Sequence, residues 1–426
     1  MKVMGNSINI LMLGWELPPH HSGGLGRACE GMTKGLSKRE VAVSFVLPKV
    51  FKNATYSWMD VHDASGYIAG GFNGGAKEEQ ECLEFVIRHQ CALMRGYFAP
   101  MHSGEVLCKL CFKGSNIAEF SHVDLYAKGV MEIARRRSFH AVHGHDWMTY
   151  PAAILAKKVA AKAGRNTPFI AHVHATEIDR HDGSHIYRIE KEGMEAADRI
   201  VAVSNYTKSI IAKYYGIDPN KISVVHNGIE PRTIEKYPQH PLKRRHKVVL
   251  FIGRVTYQKG PDYYVRLAKK VTDQYDNVKF LMVGSGDMQA SMIELAAREN
   301  LTGKLLFSSW IGDDMIDATY QMADVFVMPS VSEPFGIVPL EAIQNGTPVV
   351  VSRNSGVIEV VRHCIAVDFW DIDKMAEAIV ILLKHEGHAR NMVRKAQDEI
   401  EKLTWDVAAE KLCTVYGDAI EETSYA

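Results

Sequence analysis

No stretch of this 426-residue sequence approaches the ~20 consecutive apolar residues that a membrane-spanning helix requires. An excess of charge is also missing. Lys plus Arg and Asp plus Glu number 50 each, which removes the basic footprint that duplex nucleic acid demands. Cysteine is sparse and irregular, with seven residues at 29, 82, 91, 108, 111, 364 and 413. An odd number at such spacing implies no disulfide framework. Cys108 and Cys111 form CKLC, which by spacing is half a zinc site or a redox pair. No second CxxC or histidine pair follows at ligand spacing, so two reduced thiols is the simpler reading. The first residues, MKVMGNSINILMLGWELPP, hold only a short apolar run and no small-residue cleavage site. They read as a buried strand rather than a signal. Together these absences point to a soluble, cytoplasmic chain.

What is present is an alternation. The chain is 46% hydrophobic and 23% charged, ordinary globular usage, and long enough for two or three cores. INILMLGW, VAVSFVLP, FHAVHGHD, PFIAHVHA, RIVAVS and ISVVHN read as strands. Most are continuous Val/Ile/Leu runs, the mark of parallel strands covered on both faces. Helical patterns such as GRACEGMTKGLSKRE, starting near Arg27, and WMTYPAAILAKKVAAKAG lie between them. The rhythm pauses over 230–247, where EPRTIEKYPQHPLKRRHK has three prolines and no period, a linker by composition. It then restarts with VVLFIGRV, a helix over 262–275, VKFLMVGSGD, a helix over 288–300, KLLFSSWI, ADVFVMPS, TPVVVS and IAVDF. The predicted fold is α/β: two doubly wound Rossmann-like domains facing across a cleft, over 1–235 and 236–404. Residues 405–426 form a C-terminal helix that caps the second domain or crosses back to the first. Segment 51–122, with SGYIAGGFNGGAKEEQE, breaks the rhythm as a surface loop.

In doubly wound sheets, ligands sit outside the carboxyl ends of the strands, so the residues just after each strand are informative. Gly23, Gly24 and Gly26 follow the first strand ahead of a helix, without the G-x-G-x-x-G dinucleotide spacing. They mark either a close backbone approach to a ligand or a plain tight turn. HGHDW and HVHATEIDR place four histidines with Asp146 and Glu177. No C-x-x-C or H-E-x-x-H frame supports a metal, and each histidine can be a hydrogen-bonded structural residue. Arg254 and Lys259, in GRVTYQKG, suit a diphosphate clamp, or else are two solvated charges. Gly284 and Gly286, in VGSGD, form a second small-residue turn at a neighbouring strand end.

The densest stretch is SEPFGIVPLEAIQNGTPVV. A helix is predicted from Phe335 or Gly336 to a cap at Asn345–Gly346. The N–H groups of Gly336, Ile337 and Val338 would then be unpaired, an anion site suited to phosphate. Glu333 stands just before them, able to accept from sugar hydroxyls or simply to cap the helix. Glu341, about two turns along, suits the hydroxyls of a ribose or is a solvated helix acid. Phosphate between two polyol rings describes a nucleotide sugar.

Read together, PPHHSGGLGR, HGHDW, HVHATEIDR, ADRIVAVSNYTK, VVHNGIE, GRVTYQKG, VGSGD and the E-x7-E stretch resemble retaining glycosyltransferases of family 4, with the glycosyltransferase-B fold. The glycogen synthases of bacteria and archaea are close relatives, and the resemblance covers nearly the whole chain. It implies that Gly23 and Gly24 approach the donor phosphates and that His174 hydrogen-bonds the donor sugar at its 6-hydroxyl. Asp146 and Asn227 line the sugar or acceptor side. Arg254 and Lys259 hold the diphosphate, Glu333 the sugar's 3- and 4-hydroxyls, and Glu341 the ribose. The base lies near Trp310 and Ile311, with Phe335 and the helix start completing the donor site. The family generally needs no metal or other cofactor, and retention is ascribed to same-face attack without an enzymic nucleophile. The first loop reads HHSGGLGRA where the main bacterial glycogen synthases have KVGGLGDV, which leaves ADP-, UDP- and GDP-sugars all open as donors.

The expected activity is therefore hexosyl transfer from a nucleotide sugar to a glycan, most simply in glycogen or α-glucan synthesis. The partners are the donor and a glycan acceptor, with no nucleic acid and no transmembrane segment. The alternatives are transfer to a lipid-linked or cell-surface polysaccharide and, from another class, a nucleotide-sugar 2-epimerase, against which the Arg/Lys pair with E-x7-E argues. A non-catalytic carbohydrate-binding relative would have lost Lys259 or Glu333, and neither is lost.

Overall fold

A computed structural model describes residues 8–19, 23–50, 55–69, 122–180, 184–309 and 311–425. The chain divides into two compact units, 1–228 with 405–426, and 229–404. Cys108, Cys111, most of the 51–122 segment and Trp310 lie outside the described residues.

In the first unit the strands are β1 (Asn9–Leu13), β2 (Ala42–Leu47), β3 (Asp60–Asp63), β4 (Ala141–His145), β5 (Phe169–Val173), β6 (Arg199–Ala202) and β7 (Ile222–Val224). They pair in parallel in the order β3-β2-β1-β4-β5-β6-β7. Every residue of β4 and β5 is buried, as the unbroken apolar runs around them require of a sheet with helices on both faces. Aromatic side chains such as Tyr126, Trp147, Tyr150 and Phe169 fill one core with the aliphatic strands.

The C-terminal helix, Trp405–Tyr425, belongs to this unit and packs on helix Gly24–Ser37. Glycines make the approach possible. A Cβ on Gly31 would meet the Trp405 indole at 2.2 Å, and one on Gly35 the Trp405 carbonyl oxygen at 2.6 Å. Side chains there would hold the two helices apart. The Gly24–Ser37 helix begins three residues before the expected Arg27, because the weakly helical glycines of SGGLG form its first turn.

The second unit holds β8 (Lys247–Ile252), β9 (Val278–Val283), β10 (Leu305–Ser308), β11 (Val325–Met328), β12 (Val349–Ser352) and β13 (Ile365–Val367). All pairs are parallel and the order is β10-β9-β8-β11-β12-β13. Its own core centres on Phe251, Tyr264, Phe280, Val325 and Val350. Helices Pro261–Gln274 and Gln289–Arg298 fall where the apolar period placed them.

Both sheets reverse their strand order once near the middle, between β1 and β4 in one and between β8 and β11 in the other. Such a reversal leaves a crevice outside the carboxyl ends of the two central strands. The residues that follow β1, β4, β8 and β11 are therefore the ones the topology presents to a ligand. No helix among the described residues is long and apolar enough to cross a membrane.

Candidate active site

In the second unit the loops after β8 and β11 are joined by backbone bonds. The N–H of Val331 donates to the Gln258 carbonyl at 3.0 Å, and that of Ser332 to the same oxygen at 3.5 Å. This brings Lys259 and Glu333, 74 positions apart, into contact: Lys259 Nζ donates to Glu333 Oε2 at 2.5 Å. Ser330 Oγ donates to the same oxygen at 3.3 Å. Only 19% of the Lys259 side chain and 8% of the Glu333 side chain are exposed. A pair so enclosed is screened far less than a surface pair, and either partner left alone would be a costly buried charge.

Glu333 does not cap the helix that follows. Helix Ile337–Gln344 has Gly336 as its N-cap, a residue with no side chain to bond its first turn. Gly336 has φ +103, and a Cβ there would stand 3.3 Å from Glu333 Cγ. Glycine is thus demanded both by the left-handed backbone and by the acid beside it. The helix starts two residues later than its earliest expected position, so Glu341 lies just over one turn in rather than two. The Phe335 ring is buried and its carbonyl accepts from Val357 N–H at 2.7 Å. Ile337 and Val338, at the open end of the helix, are partly exposed.

Glu341 is not a solvated acid. Its residue is 9% exposed, and its Oε2 accepts from the Tyr320 hydroxyl at 2.8 Å. Arg254 separates from Lys259 in kind: it is exposed and forms no ion pair among the described residues. Gly284 and Gly286 have a reason of their own. A Cβ on Gly284 would lie 1.9 Å from the Gly253 carbonyl oxygen, and one on Gly286 2.2 Å from that of Val255. Here the turn after β9 lies against the backbone that carries Arg254. Ile311 follows β10 and is partly exposed.

In the first unit the expected residues gather at the ends of β4 and β5. Asp146 has φ +58, an uncommon backbone for a non-glycine residue. Its N–H donates to the His172 carbonyl at 2.9 Å, and its carbonyl accepts from Thr149 N–H and Thr149 Oγ1, each at 3.0 Å. That turn aims Asp146 Oδ1 at the His174 N–H, 2.7 Å away. Burial pushes the Asp146 carboxyl up to about 6, opposed by the Arg180 charge and the N–H groups of His174 and Ala175.

The four histidines of HGHDW and HVHATEIDR form a ladder. Residues two apart on parallel strands share a face, so His143, His145, His172 and His174 stack. His145 Nδ1 meets His174 Nε2 at 2.9 Å, His143 Nε2 meets His172 Nδ1 at 3.1 Å, and His143 Nδ1 meets Tyr416 Oη of the C-terminal helix at 2.5 Å. Burial holds His143 and His174 down to about 3, so all three links join neutral groups. His143, His145 and His172 bring one ring nitrogen each within 4.8 Å of one another, and neither Asp146 nor Glu177 joins that group. The Glu177 N–H instead serves Glu190, donating to its two oxygens at 3.1 and 3.0 Å. Glu190 is pushed up to about 8 by burial, and Tyr215 Oη also donates to it.

Gly23 is the N-cap of helix Gly24–Ser37, where its Cβ would touch Glu16 Oε2, and a Cβ on Gly24 would meet nothing within 4 Å. Asn227 is buried just past β7, three strand spacings from β4 or about 14 Å along the sheet. The topology thus groups Asp146 with His174 but leaves Asn227 at the sheet edge. Three participants went unread in the sequence: Ser330, Tyr320 and Tyr416. Ser330 was legible as a hydroxyl three residues before Glu333. Tyr320 and Tyr416 carry no local signal, because their partners are 21 and 273 positions away.

Comparison with known proteins bears on the family and the fold. Residues 233–399 match the family model for glycosyl transferases group 1, and residues 113–233 that for glycosyltransferase family 4. An uncharacterized glycosyltransferase of Methanocaldococcus jannaschii is 26% identical over 435 residues, covering 97% of this chain and 99% of that one. A glycogen synthase of Mycobacterium tuberculosis is 24% identical over 425 residues, covering 96% and 94%. Among solved structures, a sucrose-phosphate synthase from Thermosynechococcus elongatus aligns with TM-score 0.69 at 17% identity, covering 96% of this chain and 98% of that one. The HepE protein of Anabaena, solved with UDP and glucose, aligns with TM-score 0.67 at 16% identity, covering 96% and 100%.

Proposed function

We propose that this chain, which belongs to the family 4 type of glycosyltransferases with the glycosyltransferase-B fold, is a retaining hexosyltransferase. It would move glucose from a nucleoside-diphosphate sugar to a glycan acceptor, extending an α-glucan. The observation that carries the reading is the enclosed Lys259–Glu333 pair at the strand-order reversal between β8 and β11, beside the uncapped helix start at Gly336.

The chemistry follows from where charge develops. Cleaving the anomeric bond puts oxocarbenium character on the sugar and negative charge on the departing diphosphate. Lys259 and the N–H groups of Ile337 and Val338 stabilise the second charge. Arg254, with no competing carboxylate among the described residues, adds a cation that the diphosphate can recruit. Glu333 is an acceptor held in place by Lys259 and Ser330, suited to the sugar's 3- and 4-hydroxyls. Glu341 takes the ribose, and Ile311 lies near the base. In the first unit His174 offers a neutral ring to the sugar's 6-hydroxyl, and Asp146 fixes the backbone that carries it. The acceptor hydroxyl attacks from the face the diphosphate leaves, and the leaving phosphate takes its proton.

The test is a transfer assay with ADP-, UDP- and GDP-glucose, with and without glycogen. The expected result is release of the nucleoside diphosphate together with α-linked elongation of the glycogen. A chain that releases no diphosphate from any of these donors, or interconverts sugar epimers without acceptor, refutes the reading.

A further inference from the structure

Three of the four ladder histidines fit a metal ligand set better than a satisfied core. His143, His145 and His172 are each fully buried, and one ring nitrogen of each lies within 4.8 Å of the others. Buried polar groups are nearly always hydrogen-bonded. Yet His145 Nε2 and His172 Nε2 are buried with no hydrogen-bond partner among the described residues. Two such orphans on neighbouring strands are costly and call for something that takes up their lone pairs.

The bonds that do form hold these rings as a metal centre would. With Nε2 as the lone-pair nitrogen, His143 Nδ1–H donates to Tyr416 Oη at 2.5 Å and His145 Nδ1–H donates to His174 Nε2 at 2.9 Å. Metal-ligating histidines characteristically commit their other nitrogen to such a partner, which sets both the tautomer and the direction of the ring. His143 Nε2 stands 3.1 Å from His172 Nδ1. Two nitrogens on one tetrahedral ion, with bonds of about 2.0–2.1 Å, stand about 3.4 Å apart. The three ring planes are mutually inclined by 27°, 31° and 32°. The terminal torsion of histidine is broad, so ring rotation can close the wider gaps while the strands stay in place.

We propose that His143, His145 and His172 form a binding site for one divalent late transition-metal ion, zinc in the first place, with the fourth position left to a solvent oxygen. Imidazole ligands suit zinc, cobalt, nickel and copper, whereas magnesium and calcium take oxygen. The ion ties β4 to β5 and, through Tyr416, to the C-terminal helix. None of the three ligands has a part in the transfer reaction proposed above, so the role is structural. Failure of this proposal leaves that reading untouched. The sequence carries no metal frame because the ligands come from two strands, with His143 and His172 29 positions apart.

The experiment uses the full chain, produced without a histidine tag in minimal medium supplied with Zn²⁺ or Co²⁺ and, separately, in chelated medium. Plasma mass spectrometry should find about one ion per chain in the two supplied preparations. The cobalt form should show the intense visible bands of four- or five-coordinate cobalt. Chain carrying the ion should melt about 5 °C or more above chain without it. His145→Gln and His172→Gln should each lose the ion and the bands. A wild type that folds without metal from every medium would overturn the proposal. So would an ion kept in both variants, the weak bands of six-coordinate cobalt, or equal melting with and without the ion. If neither variant folds, the cobalt spectrum of wild type decides, because cobalt held loosely at the surface stays six-coordinate.

Discussion

The ends of β4 and β5 in the first sheet and the ends of β8 and β11 in the second each carry a polar cluster, yet the two are built by opposite means. In the first unit the histidines are neutral and bonded to one another and to a tyrosine, imidazole to imidazole and imidazole to phenol. In the second unit they are paired by charge, lysine to carboxylate, beside an open helix start. The contrast suggests a division of labour. A neutral ladder gives shape and a fixed hydrogen-bonding edge, which suits recognition of an uncharged sugar. An ionic pair beside uncapped amides gives a field, which suits a departing diphosphate. If the division is real, damage to the second unit should fall on turnover and damage to the first on stability and its pH dependence.

The largest effect is expected at Lys259. Lys259→Ala removes the enclosed cation, and turnover should fall by about 10²-fold or more, the scale seen when a charge-stabilising donor is lost, while circular dichroism stays native. Near-wild-type turnover in that variant would erase the contrast. Next comes the seat of the C-terminal helix. Gly31→Leu drives a side chain into the Trp405 indole, and overpacking of this kind costs about 1–3 kcal/mol. Denaturant unfolding should show the loss. A third test is Tyr416→Phe, which leaves His143 Nδ1 buried without its partner at a cost of about 1–3 kcal/mol. An unchanged unfolding midpoint would mean that the ladder does not depend on the helix.

The smallest effect is a pH dependence. Burial holds His143 and His174 at about 3 in the folded chain, below the ordinary 6.5. Above about 6.5 both folded and unfolded chains carry these rings neutral. As pH falls from 6.5 toward 3 the unfolded chain binds the protons first, so stability is lost across that window. Asp146 works in the opposite sense. Its folded value of about 6 lies above the ordinary 3.8, so its share of stability is present in acid and is lost as pH rises from about 4 to 6. Comparing urea midpoints of wild type and His143→Gln between pH 7 and pH 4 isolates the histidine term. The variant should fall less steeply, and parallel profiles would remove the ladder from the acid response.

How far the chain could be read without coordinates depended on how local each feature is. The parallel strands were legible because burial on both faces leaves an unbroken apolar run, as in VVLFI and VFVM. Helix Ile337–Gln344 was legible from its glycine start and its Asn345–Gly346 stop. The acids at 333 and 341 were legible as a spaced pair, but their state was not. Reading Glu333 as a cap failed because the loop after β8 brings Lys259 to it first. Reading Glu341 as a solvated acid failed because Tyr320, on another helix, covers it. β3 went unread because DVHD is a short, half-exposed edge strand with no apolar run. The His143–Tyr416 bond joins the two ends of the chain, and no window along the sequence contains both. Gly284 and Gly286 were legible as a small-residue turn, but not the close approach they allow to the neighbouring loop's own carbonyls.

The most direct test of the central claim is a crystal structure of the chain soaked with a nucleoside-diphosphate sugar. The account predicts the diphosphate at the start of helix Ile337–Gln344, with one of its oxygens about 3 Å from Lys259 Nζ and Glu333 turned to the sugar hydroxyls. A diphosphate bound elsewhere, with the Lys259–Glu333 contact intact and no ligand near either residue, would contradict it.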